Sequence, residues 1–301
     1  MISSLDPASL SFLNGLDRIQ RRTDRAQREL TTGLRINVAS DDPSQIADLL
    51  ATRARLDRIT QINSNVDQVK SEVDTSETAL QSAVKLVEHA QSLATQGESA
   101  FNDANSRNDI ATELGGVLQQ LVAVSNTTVQ GRVIFSGDSD QKGPYSLDLT
   151  KNNPISTYAG GGTTRQVEFP DGSLIAVAKT AQDIFDSSNP QQNVFQAVND
   201  LRLALLNNDQ AGVGSAISKL GGAGTYLNGK LAFYGTVQNS IANAGESGSS
   251  TVLQLQSQLS GIQDADLTKA IIEFQQATNN QQAALQSRAK LPHTSLFDFL
   301  A

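Results

Sequence analysis

Few residues in this chain could do chemistry. Two acid pairs, Asp41/Asp42 and Asp264/Asp266, are the first candidates for general acid and base work. Neither has a nucleophile or a metal-binding partner nearby in sequence. Asp42 stands before Pro43, with Gln45 three residues on, which is the form of a variant capping box; Asp264 and Asp266 read as solvent-facing helix residues. The chain has no cysteine, which removes disulfides, thiolate catalysis and thiol-based metal sites together. Its two histidines, His89 and His293, lie far apart, so no His-rich metal site is expected. Gly160-Gly161-Gly162 lacks the Gly-Lys-Ser/Thr ending and the following helix of a phosphate loop and reads as a flexible connection. No catalytic residue, cofactor or metal is expected, and the chain does not read as an enzyme.

Charge narrows the partners. A net charge of −8 argues against a general nucleic-acid binder, whose affinity rests on clustered basic residues. Arg18, Arg21, Arg22, Arg25 and Arg28 do share one broad helix face, but Asp17, Asp24 and Glu29 interrupt it, as ion pairs spaced three or four residues apart would. No run approaches the roughly 18 apolar residues of a membrane-spanning helix, so membrane insertion is not expected. The N-terminus shows no basic region followed by an apolar core, and composition alone therefore defaults to a cytoplasmic address.

What remains is a pattern of seams. Leu5, Phe12, Ile19 and Ala26 recur every seven residues with Leu16, Thr23 and Leu30 interleaved, a narrow apolar stripe that must be buried against another helix. Ile59, Val66, Val73, Leu80 and Val87 make a second seam, accompanied by Ile62, Val69, Ser76, Ala83 and Ala90. A third runs from Leu255, Leu259 and Ile262 to Leu267, Ile271, Phe274, Thr278 and Leu285, shifting phase near Asp264-Ala265-Asp266 as a stutter in a coiled coil would. Aromatic residues make up only 5% of the chain, so any globular core must be thin.

The first helix should run from about Asp6, with Pro7 at its first position, to Thr32, ended by Gly33. A second should run without Pro or Gly from Pro43 to about Gln96, and a third from about Arg107 to Thr127. Three of the seven prolines then fall between Gly137 and about Asn189, and Asp171-Gly172 separates two strand-like runs, Arg165 to Phe169 and Ser173 to Ala178, as in a two-residue hairpin. Helical periodicity returns from Pro190 to Leu206 and from Lys219 to Ala244, and a last helix spans about Ser247 to Ala289. The fold class expected is mainly α, a long antiparallel helical rod with N- and C-terminal coiled-coil helices and a small inserted β domain. Its divisions are a terminal coiled-coil region of residues 1–42 and 250–301, a helical rod of 43–137 and 190–249, and a β-rich outer domain of 138–189. The closing Leu296-Phe297-Asp298-Phe299-Leu300 spends four large apolar residues near the end of the sequence, and each could contribute roughly 1.5 to 3 kcal/mol if buried.

The run Leu30-Thr31-Thr32-Gly33-Leu34-Arg35-Ile36-Asn37-Val38-Ala39-Ser40-Asp41-Asp42-Pro43 closely resembles the N-terminal signature of the bacterial flagellin family. The helix break near Ala94-Thr95-Gln96-Gly97, the restart at Ser106-Arg107 and the heptad termini resemble it too, covering about residues 1–137 and 245–301. Three features look more like the hook-associated, junction-type members than the main filament subunit: Gly131-Arg132-Val133-Ile134-Phe135-Ser136-Gly137, Asp41-Asp42-Pro43, and Ser295-Leu296-Phe297. Val133 departs from the aromatic residue usual at its position in that segment.

The resemblance implies a structural subunit of the bacterial flagellum, exported without a cleaved signal through the flagellar type III channel and assembled outside the cell. The implied role is an adaptor at the hook–filament junction, with a short flagellin forming the filament as one alternative and a non-flagellar coiled-coil scaffold as another. Implied partners are neighbouring copies, hook-associated proteins, flagellin and an export chaperone. The residues expected to carry assembly are Leu5, Phe12, Leu16, Ile19, Leu30, Arg35, Asn37, Leu255, Leu259, Ile262, Ile271, Phe274, Leu285, Leu296, Phe297 and Phe299. In this reading Leu5 to Leu30 pairs with Leu255 to Leu285.

Overall fold

The computed structural model describes residues 7–99, 103–139 and 142–289. They form a mainly helical chain with seven helices among them: α1 (Pro7–Thr32), α2 (Ile46–Glu98), α3 (Ala104–Ser125), α4 (Ala181–Phe185), α5 (Val194–Leu206), α6 (Gln210–Gln263) and α7 (Leu267–Ala289). The strands are short: β1 (Thr128–Val129) pairs antiparallel with β2 (Arg132–Val133), and β3 (Gln166–Glu168) with β4 (Leu174–Ala176). The chain divides into two compact units, residues 1–58 with 251–301, and residues 59–250.

In the second unit the α2 seam is buried as its spacing requires. Val66, Val73, Leu80, Val87 and the interleaved Ile62, Val69, Ser76, Ala83 and Ala90 all lie in the interior. The apolar members meet Leu114, Leu118 and Leu121 of α3, Leu201 of α5, and Leu220, Leu227 and Tyr234 of α6 in one core cluster. Few as they are, the aromatic rings are concentrated there. Phe135 packs edge-on to Phe185 (6.3 Å) and Tyr234 (6.5 Å), and Phe195 stacks on Phe185 (5.5 Å) and meets Tyr145 (5.1 Å). This accounts for the Gly131 to Gly137 run. Its two glycines take positive φ, +80° and +66°, and between them Phe135 is fully buried while its carbonyl accepts the Ala181 amide at 2.7 Å.

Residues 138–189 contain less regular β structure than the strand-like runs suggest. Among the described residues, pairing there is limited to the β3–β4 hairpin and an isolated bridge between Leu147 and Ile155. The turn falls at Asp171-Gly172 but is a three-residue loop, Pro170-Asp171-Gly172, rather than a two-residue one: the Phe169 amide donates to the Ser173 carbonyl (2.9 Å), and Gly172, at φ +85°, donates its amide to the Phe169 carbonyl (2.8 Å). Short α4, capped by Thr180, has too few residues to leave a periodic signal.

The helical runs expected over Lys219 to Ala244 and from about Ser247 are parts of one helix, which also takes in Gly212, Gly214 and Gly245. Helix α6 runs unbroken for 54 residues through Gly212, Gly214, Gly221, Gly222, Gly224, Gly229, Gly235, Gly245, Gly248 and Gly261. Packing overrides propensity here, because several of these glycines admit a neighbour where a side chain would stand. A Cβ on Gly222 would overlap the Gln191 carbonyl, one on Gly248 the Asn63 carboxamide, and one on Gly224 would press on Gln91, whose Nε2 donates to the Leu220 carbonyl at 3.1 Å. Adjacent Gly221 faces open space. Gly222→Ala should therefore destabilise the chain by about 1 to 3 kcal/mol and Gly221→Ala stabilise it by up to about 1 kcal/mol. Urea unfolding of both variants checks the opposite signs, and equal effects would contradict the packing.

Helix α2 begins at Ile46, three residues later than Pro43. The Asp42 carboxylate is shared, with Oδ2 accepting Arg35 Nη1 (2.8 Å), Oδ1 accepting the Ser44 hydroxyl (2.6 Å) and the Gln45 amide adding to its stabilisation, while Gln45 Oε1 accepts Arg35 Nη2 (3.2 Å). The expected stutter near residue 265 is a full break between α6 and α7.

Candidate assembly interface

Helices α1 and α7 pair antiparallel within the first unit. Arg288 Nη2 donates to Ser9 Oγ at 2.8 Å and its guanidinium lies 5.6 Å from the centre of the Phe12 ring, while at the other end the Ala265 amide donates to the Gly33 carbonyl at 2.8 Å. On α1 the inner face is the predicted seam, with Phe12, Leu16, Ile19 and Leu30 half-buried and Ala26 buried. On α7 the inner face is different. Ala270 and Ala277 are buried, one heptad apart, with Phe274 half-buried between them. Small Ala residues opposite Phe and Leu let the two helices approach closely, and their seven-residue spacing was the available signal for this face.

The stripe predicted for α7 therefore lies mostly to one side of the intramolecular contact. At about 100° per residue, Leu267, Ile271, Thr278 and Leu285 stand roughly 60–120° around the helix from Ala270 and Ala277. Leu267 is 50% exposed, Ile271 47% and Leu285 49%. Helix α7 thus carries two seams, one closed by α1 and one open. The same bias holds across the chain: among the described residues, Leu10, Leu13, Val38, Leu50, Leu253, Leu267, Ile271, Ile272 and Leu285 are exposed in the first unit, against Leu149, Leu174 and Leu206 in the larger second one.

Leu255, Leu259 and Ile262 belong to α6, not to the helix that pairs with α1. Leu255 is buried and the other two are half-buried. Leu5, Leu296, Phe297 and Phe299 lie outside the described residues, as does His293.

Arg35 and Asn37 organise the loop between α1 and α2. Gly33, at φ +72°, ends α1 with its amide on the Glu29 carbonyl (2.9 Å). The Arg35 amide then donates to the Gln263 carbonyl (2.7 Å) and Arg35 Nη2 to the Ile262 carbonyl (2.6 Å), so a cation sits at the negative end of α6. The same guanidinium meets Asp42 and, at 3.2 Å, Gln45 Oε1. Asn37 Nδ2 donates to the Leu34 carbonyl (2.7 Å), while Asp41 Oδ2 accepts the amides of Asn37 and Val38, both at 2.9 Å. Ile36 is buried beneath. Gln263, which sequence reasoning missed, is buried and accepts Arg53 Nη2 at 2.7 Å.

Each acid of the two candidate pairs has a structural task. The Ser44 hydroxyl and the Arg35 guanidinium hold the Asp42 carboxyl below its ordinary range. Partial burial opposes ionisation of Asp41, but the Val38 and Asn37 amides outweigh it and keep that pKa low as well. Asp266 caps α7 through the Lys269 amide (3.1 Å), and the Asp264 carboxylate accepts the Ser260 hydroxyl while its backbone bridges to Leu34. Beside them lies an open cleft of about 450 Å³ lined by Arg25, Glu29, Arg35, Asp264, Asp266, Lys269 and Glu273. On α1, Arg21 pairs with Asp17, and Arg25 with Glu29 at 2.9 Å.

Comparison with known proteins agrees with this construction. Residues 4–140 match the bacterial flagellin N-terminal helical region. Flagellar hook-associated protein 3 of Escherichia coli is 24% identical over 311 aligned positions, covering 95% of this chain and 95% of that protein. Flagellin A of Helicobacter mustelae is 26% identical over 165, but the match spans 54% of this chain and 33% of the flagellin. A solved flagellar hook-associated protein of Vibrio parahaemolyticus shares the fold with a TM-score of 0.65 at 20% identity, over 74% of this chain and all of that one. With α1, the Arg35 clasp and α2 all inside the matched N-terminal region, the chain is flagellin-like, and over nearly its whole length it resembles the flagellar hook-associated subunits.

Proposed function

We propose that this chain is a structural subunit of the bacterial flagellum, an adaptor at the hook–filament junction. It is exported through the flagellar type III channel without a cleaved signal, meets an export chaperone on the way, and is built in outside the cell. Its terminal helices contact neighbouring copies, hook-associated proteins and flagellin. It does no catalysis. The observation that carries this reading is the open seam of α7. A stripe of Leu267, Ile271 and Leu285, each about half exposed on a helix whose other seam is already filled, needs a further helix to cover it. Coverage of the hook-associated relative from end to end, against a third of the flagellin, supports the junction role over the filament role.

The α1–α7 pair also buries little by itself, since of the predicted α1 seam only Ala26 is fully buried among the described residues. Ordering a residue costs about 1 to 2 kcal/mol, so neighbours must supply the missing surface. Limited proteolysis of the dilute chain should trim α1 and α7 quickly while residues 59–250 persist, and assembly should protect both helices. A stand-alone coiled-coil scaffold would resist at both ends when dilute.

A further inference from the structure

Three half-buried cations of the second unit meet carboxylates, and the more deeply buried Arg202 does not. Lys230 meets Asp183 (2.9 Å), Lys219 meets Asp200 (2.6 Å) and Arg165 meets Glu72, each with a side chain 16–29% exposed. Arg202 is more buried, at 8% exposure, and has no carboxylate within 4.0 Å among the described residues. Its partner is neutral: Nε donates to Asn199 Oδ1 at 3.2 Å. Asn199 is itself fixed, with Nδ2 on the Asn152 carbonyl at 2.9 Å, so the guanidinium is held on α5 through an anchored partner. A guanidinium has five N–H donors, and here four have no protein acceptor among the described residues. No nitrogen of Arg202 is both sealed from solvent and without a partner, so the open edge of the fork reaches the surface. Desolvation without a compensating anion also depresses its pKa.

A buried charge without a counter-charge is costly, and a planar fork held flush with the surface suits bidentate capture of a carboxylate. We propose that Arg202 is a docking point for a carboxylate side chain of a second copy of this chain; this rests on the assembling role above. Two features favour a copy as the source. The chain carries 31 acidic residues against 23 Lys and Arg, so every copy presents surplus carboxylates. A flush fork cannot reach out, and its ligand must be brought to it on another surface, which is how a buried Arg becomes an interface anchor.

The test uses the full chain with Arg202→Met, Arg202→Lys and the unaltered protein. Sedimentation velocity reads self-association, thermal unfolding reads the dilute subunit, and the Arg202 Nε–H resonance is followed during titration with acetate. Arg202→Met should leave the unfolding temperature equal or higher and weaken self-association at least about tenfold, with Arg202→Lys between. Acetate should shift the resonance saturably and compete with self-association. Self-association of Arg202→Met equal to that of the unaltered chain overturns the proposal, even if acetate binds, because the fork would then take only free anions. An unmoved resonance overturns it as well. If the unaltered chain does not self-associate, the assembly reading has failed, and the acetate titration alone decides whether the fork binds carboxylate. Should Arg202→Met unfold, weakened self-association of Arg202→Lys together with competition by acetate supports the proposal, and the absence of both overturns it.

Discussion

Placing aspartate at both ends of the open seam, as Ile271→Asp with Leu285→Asp, is expected to abolish incorporation into the flagellum while the subunit still folds. Both side chains are about half exposed in the single chain, so the variant should lose no more than about 1 kcal/mol of subunit stability. In the assembly the same positions would be covered, and a carboxylate forced into an apolar seam costs several kcal/mol unless paired. Self-association should weaken by at least about 100-fold. The matching control is Ala270→Asp, on the face closed by α1, which should disturb the intramolecular pair as well. Secreted and incorporated subunit, measured separately by quantitative blotting, distinguish the outcomes. Normal incorporation of the double variant would mean that no helix covers the seam.

Arg35→Ala is the second large effect. It removes the bonds to the Ile262 carbonyl, Asp42 and Gln45 together, leaving the negative end of α6 without its cation. Hydrogen bonds to charged groups contribute roughly 1.5 to 3 kcal/mol each; with the side chain a third exposed, a total of about 2 to 3 kcal/mol is expected for local opening. Amide hydrogen exchange across residues 33–46 and 262–266 should accelerate about 30- to 100-fold, with Arg35→Lys between. The clasp also has a pH sense. The Asp42 carboxyl is depressed below its ordinary 3.8, so its contribution is complete above that value and is lost as pH falls through the folded pKa. Exchange in the same segments should rise below about pH 4 in the unaltered chain and rise less in Arg35→Ala, where the Ser44 hydroxyl still holds the carboxyl down. Unchanged exchange would show that backbone bonds alone hold the loop.

Much of the fold was legible in the sequence because its cues are local. The α2 seam, the Gly33 stop and the Asp171-Gly172 turn each need only residues within a few positions of one another. What was not legible depended on partners far along the chain. Helix α6 reads as two runs, 219–244 and from about 247, because glycine disfavours helix around Gly245, yet it is continuous from Gln210 to Gln263. Helix α2 starts later than the Asp42-Pro43 cue suggests, where a cation seven residues before Asp42 engages both its carboxylate and the Gln45 side chain. In Leu34-Arg35-Ile36-Asn37 the bonds of Asn37 are local, but those of Arg35 to the Ile262 and Gln263 carbonyls reach more than 200 positions along the chain. For the site, periodicity found two α7 stripes only as one. It chose the larger side chains, whereas the pair with α1 is built on Ala270 and Ala277, leaving Ile271 and Leu285 open.

The most direct measurement is immunogold electron microscopy of intact flagella from the bacterium that makes this chain, with an antibody to residues 138–189. A junction adaptor predicts label confined to one band between hook and filament. Label along the whole filament would contradict it and make the chain a short flagellin, and flagella without label would remove the flagellar role altogether.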